Sequence, residues 1–405
     1  MKKCLICSNE LSPFIDFGFM PIANGFATKK ELKNEYFFSM QVGFCENCNM
    51  VQLLEQPDRE KMFHDRYAFF SSTSNYMINH FKEFANSVSS IQHLDEKSFV
   101  VEIGSNDGIM LQNFLSNNVS CLGVEPSKNV AQVAIEKGID VITEFFDKPL
   151  AEKISNSYQK ADAILSANVM CHIPYIHSIF EGVKTLLKED GIFIFEDPYL
   201  GEIIEKTSFD QIYDEHVFLF SALSISYIAR MHDLELINVE PQVTHGGSMR
   251  YSIAHKGAKI VSKNVLSLID KEKGMGLNKI DAYINFTDNV NKIRQDLIEL
   301  LKRLKSEKKK VVAYGATSKS TTVTNYFGIS SDLVDCIYDN TPIKQNKYSP
   351  GTHIPILPYD QFRNSNPDYV LLFAWNHAEE IMKKEDEYMD GYRHWITYIP
   401  NVMVI

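Results

Sequence analysis

The chain has 405 residues, 44% of them hydrophobic and 23% charged, with a formal net charge of −11. That length exceeds what one ordinary core fills and predicts two or three domains, and an acidic balance without a Lys/Arg stripe interleaved with aromatics argues against a nucleic-acid or anionic-membrane partner. No apolar run approaches the ~20 residues that cross a bilayer, and Met1-Lys2-Lys3-Cys4 lacks the apolar centre of a secretory signal, so a cytoplasmic protein is expected.

The seven cysteines make an odd number for a disulfide framework. Four stand in two C-x-x-C knuckles, Cys4-Leu5-Ile6-Cys7 and Cys45-Glu46-Asn47-Cys48. Each knuckle presents two thiolates from a tight turn, and two together make the closed tetrahedral S₄ site of a structural zinc. A zinc-binding domain is expected over 1–65, with the stretch from Phe14 to Met40 as a lobe that metal binding helps to fold. Its role would be to hold one wall of an active site. Cys121, Cys171 and Cys336 read as core residues.

Tyr67-Ala68-Phe69-Phe70-Ser71-Ser72 leads from this lobe into a second domain expected over 66–255, and Tyr67 is placed to reach its crevice. There Val100-Val101-Glu102-Ile103-Gly104-Ser105-Asn106-Asp107-Gly108 reads as strand, glycine loop and helix start. Gly104 and Gly108 are expected to let backbone approach a ligand, beside Asn106 and an open helix N-terminus. The spacing E-x-G-x-x-x-G is not the G-x-G-x-x-G of pyrophosphate binders, so adenosylmethionine fits better than NAD. A second strand ends at Glu125, where an acid accepts from ribose hydroxyls in doubly wound sheets. Phe145 follows the strand of Val141 and Ile142, positioned against an adenine or in plain core. Asn168 and His172 follow the strand that begins at Ala161 and would face the methionine end of the cofactor, or simply cap their own loop.

Phe209-Asp210-Gln211-Ile212-Tyr213-Asp214-Glu215-His216 follows another strand end and lies in a loop or short helix over the crevice. Tyr213, Glu215 and His216 are three proton-handling groups within four residues, and histidine titrates nearest neutrality. A solvated polar loop is the competing reading. Thr244-His245-Gly246-Gly247-Ser248-Met249-Arg250 joins a glycine turn to an imidazole, a hydroxyl and a guanidinium. Such a turn suits an oxyanion or phosphate, and a plain hairpin explains the glycines equally well.

A third domain is expected over 256–405. Phe286, Val290, Ile293, Leu297, Leu301 and Leu304 fall at helical spacing. Strands then end in Gly315-Ala316-Thr317-Ser318-Lys319, in Asp339-Asn340 and in Trp375-Asn376-His377, the pattern of a second doubly wound unit. Its first loop has too few glycines for a dinucleotide. Ser318, Lys319, Lys344, Lys347 and His353 instead suit the diphosphate of a nucleotide-sugar, unless the unit only packs.

Taken in order, these motifs resemble the sugar C-methyltransferases that act on nucleotide-linked 4-keto-deoxysugars in antibiotic and surface-polysaccharide pathways. The resemblance runs from the paired knuckles through Tyr67 with Phe70-Ser71-Ser72, Glu102 to Gly108, Asn168 with His172-Ile173-Pro174, Tyr213 to His216, His245 to Arg250 and Tyr314-Gly315-Ala316. It continues to Pro350-Gly351-Thr352-His353-Ile354-Pro355 and Ala374-Trp375-Asn376. It implies an α/β protein: a small zinc-binding lobe, a central Rossmann-like adenosylmethionine domain and a C-terminal Rossmann-like domain that helps hold the nucleotide-sugar. It implies His216 as base, with Glu215, Tyr213 and Tyr67 beside it. It also implies substrate contacts from His245, Ser248, Arg250, Tyr314, Lys319, Asp339, Lys344 and His353. Thr317-Ser318-Lys319-Ser320-Thr321 departs from the family's pattern by its hydroxyls, which leaves the nucleotide and sugar open. The expected chemistry is removal of a proton beside a 4-keto group and methylation of the enolate carbon, C3 or C5. An O- or N-methyltransferase, or a zinc-bearing binding scaffold, would share most of these motifs.

Overall fold

The computed structural model describes residues 2–57, 71–73, 75–389 and 391–405. Tyr67 and Phe70 therefore lie outside the described residues.

Strands β1 (Ser12–Pro21), β2 (Phe37–Phe44) and β3 (Val51–Leu53) form an antiparallel sheet beside the cysteine knuckles. The lobe buries itself in two directions. Cys4, Ile6, Leu11 and Met50 join the core of the central domain, whereas Ile15, Phe17, Met20, Phe38 and Met40 join that of the C-terminal domain. The lobe is thus a wedge between two larger bodies, because a unit this small covers its apolar surface only by sharing it.

In the central domain, β4 (Phe99–Ile103), β5 (Ser120–Val124), β6 (Asp140–Ile142), β7 (Ala161–Ala167) and β8 (Leu187–Pro198) pair in parallel. All five residues of β4 are buried, as a strand covered on both faces requires. Strand β9 (Phe218–Leu219) leaves this domain to pair with β3 and becomes the fourth strand of the lobe sheet. β10 (Leu234–Gln242) and β11 (Ser248–His255) return antiparallel on β8, so the seven-stranded sheet runs β10-β11-β8-β7-β4-β5-β6. From β4 the chain moves outward to β5 and β6, then crosses back to β7 on the other side. The carboxyl end of β4 is therefore the switch point where such sheets open a ligand crevice.

Beyond residue 256, the helix Lys263–Gly274 still packs on β10 and on the helix Ala222–Met231. Its buried Glu272 accepts from the backbone N–H groups of Ala222 (2.7 Å) and Leu223 (2.9 Å) and from the Tyr199 hydroxyl (3.1 Å), closing the start of that helix. The expected amphipathic helix spans Ile280–Ser306 and buries Tyr283, Phe286, Val290, Ile293, Leu297, Leu301 and Leu304. The last sheet consists of β12 (Val311–Tyr314), β13 (Ile337–Asp339), β14 (Ile356–Pro358), β15 (Tyr369–Leu372), β16 (His394–Thr397) and β17 (Met403–Val404). Its order is β14-β13-β12-β15-β16-β17, parallel except at β17. This is the expected α/β class, a zinc-binding lobe with two Rossmann-like domains. No described helix is long and apolar enough to cross a membrane.

Candidate active site

The four knuckle cysteines converge. Sγ of Cys4 lies 3.5 Å from that of Cys48, Cys7 lies 3.4 Å from Cys45, and all four sulfurs fall within 4.8 Å of one another. Tetrahedral zinc with ~2.3 Å bonds needs sulfurs about 3.8 Å apart, so the set fits the metal. Hydrogen bonds shared among the thiols push Cys4 up to about 12 and pull Cys45 down to about 2. Four thiolates this close need a cation to ionise together.

At the end of β4 the chain turns through Gly104 (φ +71°), Asn106 (φ +48°) and Gly108 (φ +76°). The protein's own packing already demands glycine at both ends of the loop. A Cβ on Gly104 would stand 2.4 Å from Val169 Cγ2, and one on Gly108 would stand 2.4 Å from Ile139 Cδ1. Glu125 is buried at the end of β5 and clamps the loop by accepting from the backbone N–H groups of Asn106 (3.0 Å) and Ser127 (2.8 Å). The Ser127 side chain also bonds this carboxylate, which leaves one acceptor direction for a ribose hydroxyl. Burial, with Glu125 and Asp107 close by, raises Glu102 well above the usual carboxylate range, and Glu102 Oε2 and Asp107 Oδ1 have no partner among the described residues. Unsatisfied buried acid oxygens around a strand-end loop suit adenosylmethionine, which carries a sulfonium, an ammonium and two ribose hydroxyls. Phe145 is half-buried and lines a surface cleft with Glu144, Asp147, Pro149, Leu150 and Lys153; its neighbour Phe146 is the core residue.

Across the switch point, Asn168 adopts φ +56° and donates its N–H to the Glu196 carbonyl (2.7 Å), leaving its buried Oδ1 without a partner among the described residues. His172, at the end of the 3-10 turn Met170–His172, stacks on His216 at 5.3 Å between ring centroids. The Tyr213 ring lies 4.0 Å from His216 on its other contact. His216 Nδ1 meets the Gln211 carbonyl at 2.6 Å, so the main chain orients this ring. Burial, then His172, holds His216 well below its ordinary value, and burial also takes His172 down to about 3 and His245 to about 4. Each ring is neutral at physiological pH. Glu215 is 4% exposed, raised by burial, and accepts from Asn24 Nδ2 at 2.9 Å. Asp214, pushed up to about 8 by burial and by Glu215, accepts from the Ala23 N–H at 2.8 Å.

The remaining expected residues divide. His245 sits at φ +54° with its buried Nε2 unpartnered among the described residues, and Lys319 is near enough to depress its proton affinity and that of His216. Lys319 donates to Asn376 Oδ1 (3.0 Å) and lies 5.0 Å from the Trp375 ring. That indole donates to the buried Asp210 (2.7 Å) and packs against Gly246. His172, Tyr213, His216, His245 and Lys319 thus form one buried cluster where the central and C-terminal domains meet. Arg250 does not open onto it. Its Nε binds Glu196 Oε2 at 2.7 Å, and the same carboxylate accepts from Thr244 (2.8 Å) and meets His80 (2.8 Å), while the guanidinium covers Phe84. The Ser248 hydroxyl donates to the Thr244 carbonyl (3.1 Å) and serves the turn. Tyr314 sends its hydroxyl to Glu385 among Tyr359, Phe362 and Trp395, in a separate core. Asp339 accepts from the N–H groups of Ala316 and Thr341 (2.7 Å each), and Lys344 donates to the Ala316 carbonyl (2.8 Å). His353 pairs with Glu35 of the lobe.

Sequence reasoning passed over Asn24, Asp210 and Glu196. Asn24-Gly25 reads only as a turn signal, and the partners of all three are remote in sequence.

Three family models match in order: a putative zinc binding domain over 4–63, a methyltransferase domain over 70–239 and a C-methyltransferase C-terminal domain over 243–400. The C-methyltransferase NovU of Streptomyces niveus is 30% identical over 408 residues, covering 100% of this chain and 97% of that protein. Solved structures resemble the chain far more weakly. A magnesium protoporphyrin IX methyltransferase from Synechocystis with bound SAH has a TM-score of 0.36 at 11% identity, over 44% of this chain and 83% of its own. A possible histamine N-methyltransferase from Thermotoga maritima has a TM-score of 0.34 at 18% identity, over 45% and 92%.

Proposed function

The chain belongs to the C-methyltransferase family and is an adenosylmethionine-dependent methyltransferase, and from that premise we propose that it methylates a carbon beside the ketone of a nucleotide-linked 4-keto-deoxysugar, at C3, in the cytoplasm, in the synthesis of a branched sugar. The observation that supports this reading is His216. With Nδ1 committed to the Gln211 carbonyl and burial keeping the ring neutral, Nε2 is left as a proton acceptor in the crevice.

A sugar carbon is not a nucleophile until a proton next to a carbonyl is removed. His216 Nε2 takes that proton, and the C–H electron pair moves into the enolate. Lys319 supplies positive charge on the same side, where an oxyanion develops, and this preorganised charge stabilises it. As the oxyanion forms beside the imidazolium, it offsets the effect that burial has on the free ring. Adenosylmethionine held at the Gly104–Gly108 loop and Glu125 would supply the electrophilic methyl group, on a sulfonium, that the enolate carbon needs. Holding two reactants in contact lowers a barrier by about 7–11 kcal/mol, against about 3–5 kcal/mol for a positioned base. The glycine loop and the domain crevice therefore carry more of the rate than His216 does. Lys319 and Lys344 are the basic groups offered to the diphosphate.

The test is turnover with adenosylmethionine on a panel of 4-keto nucleotide-sugars and their reduced 4-hydroxy counterparts, followed by mass spectrometry. Only the ketones should gain a methyl, on carbon. His216→Asn should keep cofactor affinity and lose roughly 10²–10⁴-fold in turnover. Methylation of the reduced sugars on oxygen or nitrogen would sink the enolate reading.

A further inference from the structure

The N-terminal lobe does more than form a wall. After β1 the chain makes a tight turn, with Gly25 N–H donating to the Ile22 carbonyl (3.0 Å), and the turn inserts between the two larger domains. On one side the Ala23 N–H donates to Asp214 Oδ1 (2.8 Å) and Asn24 Nδ2 donates to Glu215 Oε1 (2.9 Å). On the other, the Thr321 hydroxyl donates to the Ala23 carbonyl (2.9 Å) and the Ser318 hydroxyl donates to Asn24 Oδ1 (3.0 Å). One amide side chain thus links the loop of His216 to the first turn of the helix Ser318–Phe327. The direction of the link is fixed chemically. A carboxylate only accepts, so the NH₂ faces Glu215 and the carbonyl is left for Ser318.

Glu215 forms no ion pair among the described residues. Its titratable neighbours are Asp214 beside it and Cys171 from the turn Met170–His172, and burial raises both, so neither supplies a positive charge. The hydrogen bond from Asn24 is what opposes burial at Glu215.

We propose that Asn24 is a positioning residue of the methyl-transfer reaction: it fixes Glu215 in place as a carboxylate at the crevice, and Ser318 fixes Asn24. Glu215 is then competent only when the zinc lobe, the central domain and the C-terminal domain are docked together. The inference rests on Tyr213 to His216 being the reacting segment.

The experiment uses the full-length, zinc-loaded enzyme with adenosylmethionine and the 4-keto nucleotide-sugar it turns over best. It compares Asn24→Ala, Asn24→Asp, Ser318→Ala, Glu215→Gln and the double variant Asn24→Ala/Glu215→Gln across pH. A second readout needs no substrate: the infrared carboxylate band that Glu215→Gln removes is followed through its own titration. Asn24→Ala should keep zinc content and cofactor affinity, lose about 10–100-fold in kcat at pH 7, and move both the acid limb of kcat and the infrared midpoint upward by about one unit. Asn24→Asp should lose more, because a second carboxylate then faces Glu215. Ser318→Ala should shift the same limb by less. In the double variant, Asn24→Ala should add no further loss. An unmoved infrared midpoint in Asn24→Ala, or losses that multiply in the double variant, would overturn the inference while leaving the reacting segment intact. Wild-type kcat in Glu215→Gln would overturn the role of Glu215 itself, and the inference with it.

Discussion

Substituting Gly104 by alanine perturbs the cofactor loop at its first residue. Two costs can be separated. At φ +71° a residue with a Cβ is left-handed, which costs roughly 1–2 kcal/mol. The new methyl would also stand 2.4 Å from Val169 Cγ2 and 2.9 Å from Cγ1, and overpacking of this kind costs about 1–3 kcal/mol. Together these amount to about 2–5 kcal/mol, and the strain falls on the residue that leads into Met170–His172. The expected result is a lower unfolding temperature by calorimetry and at least tenfold weaker adenosylmethionine binding by titration, because the loop relaxes away from the Glu125 clamp. Val169→Ala in the same chain should restore the overlap share and leave the φ share, about 1–2 kcal/mol. A Gly104→Ala protein that melts and binds cofactor like wild type would refute the argument, since neither cost would then exist.

Metal analysis of the wild type should find one tightly held zinc, and Cys45→Ser should abolish it and lower solubility, because the closed S₄ site loses a ligand. Arg250→Gln should cost about 3–5 kcal/mol of stability, read by denaturant titration, because the buried Glu196 loses its charged partner, while KM for the sugar stays unchanged; unaltered stability with a raised KM would return Arg250 to the substrate. Glu272 is raised by burial from an ordinary 4.5 to about 7. Its protonated form is favoured by folding, so this contribution is complete below pH 4.5 and is lost as pH rises through 7, a change of about 3 kcal/mol. The stability difference between wild type and Glu272→Gln should move by that amount, in the wild type's disfavour, between pH 4.5 and 8.

What the sequence made legible was whatever depends on near neighbours and on order along the chain. The knuckles, the β4 loop, the acid at the end of β5 and the apolar stripe of the helix Ile280–Ser306 are all local patterns, and each forms the expected element. The partners of the site residues are not local. Arg250 reads as an anion-binding group until the β8–β11 register sets it against Glu196, 54 residues away. Tyr314 reads as a substrate contact until its hydroxyl is found with Glu385. Asn24 meets Glu215 across 191 residues, through a docking of three domains that no spacing rule encodes. His216 was legible as a residue type, but its orienting group is a main-chain carbonyl, which leaves no mark on composition.

The pairing of β3 with β9 has a consequence for synthesis. The lobe's first three strands are complete at Leu53, but the strand that closes its open edge begins only at Phe218, about 165 residues later. At about 5–20 residues per second, a ribosome leaves that edge uncapped for roughly 8–33 seconds, with its backbone N–H and C=O groups free to pair elsewhere. During that interval the metal-clamped knuckles are the one closed element the nascent lobe has. Cells starved of zinc should therefore lose this protein while it is being made, as aggregate, before any finished copy is short of its ion.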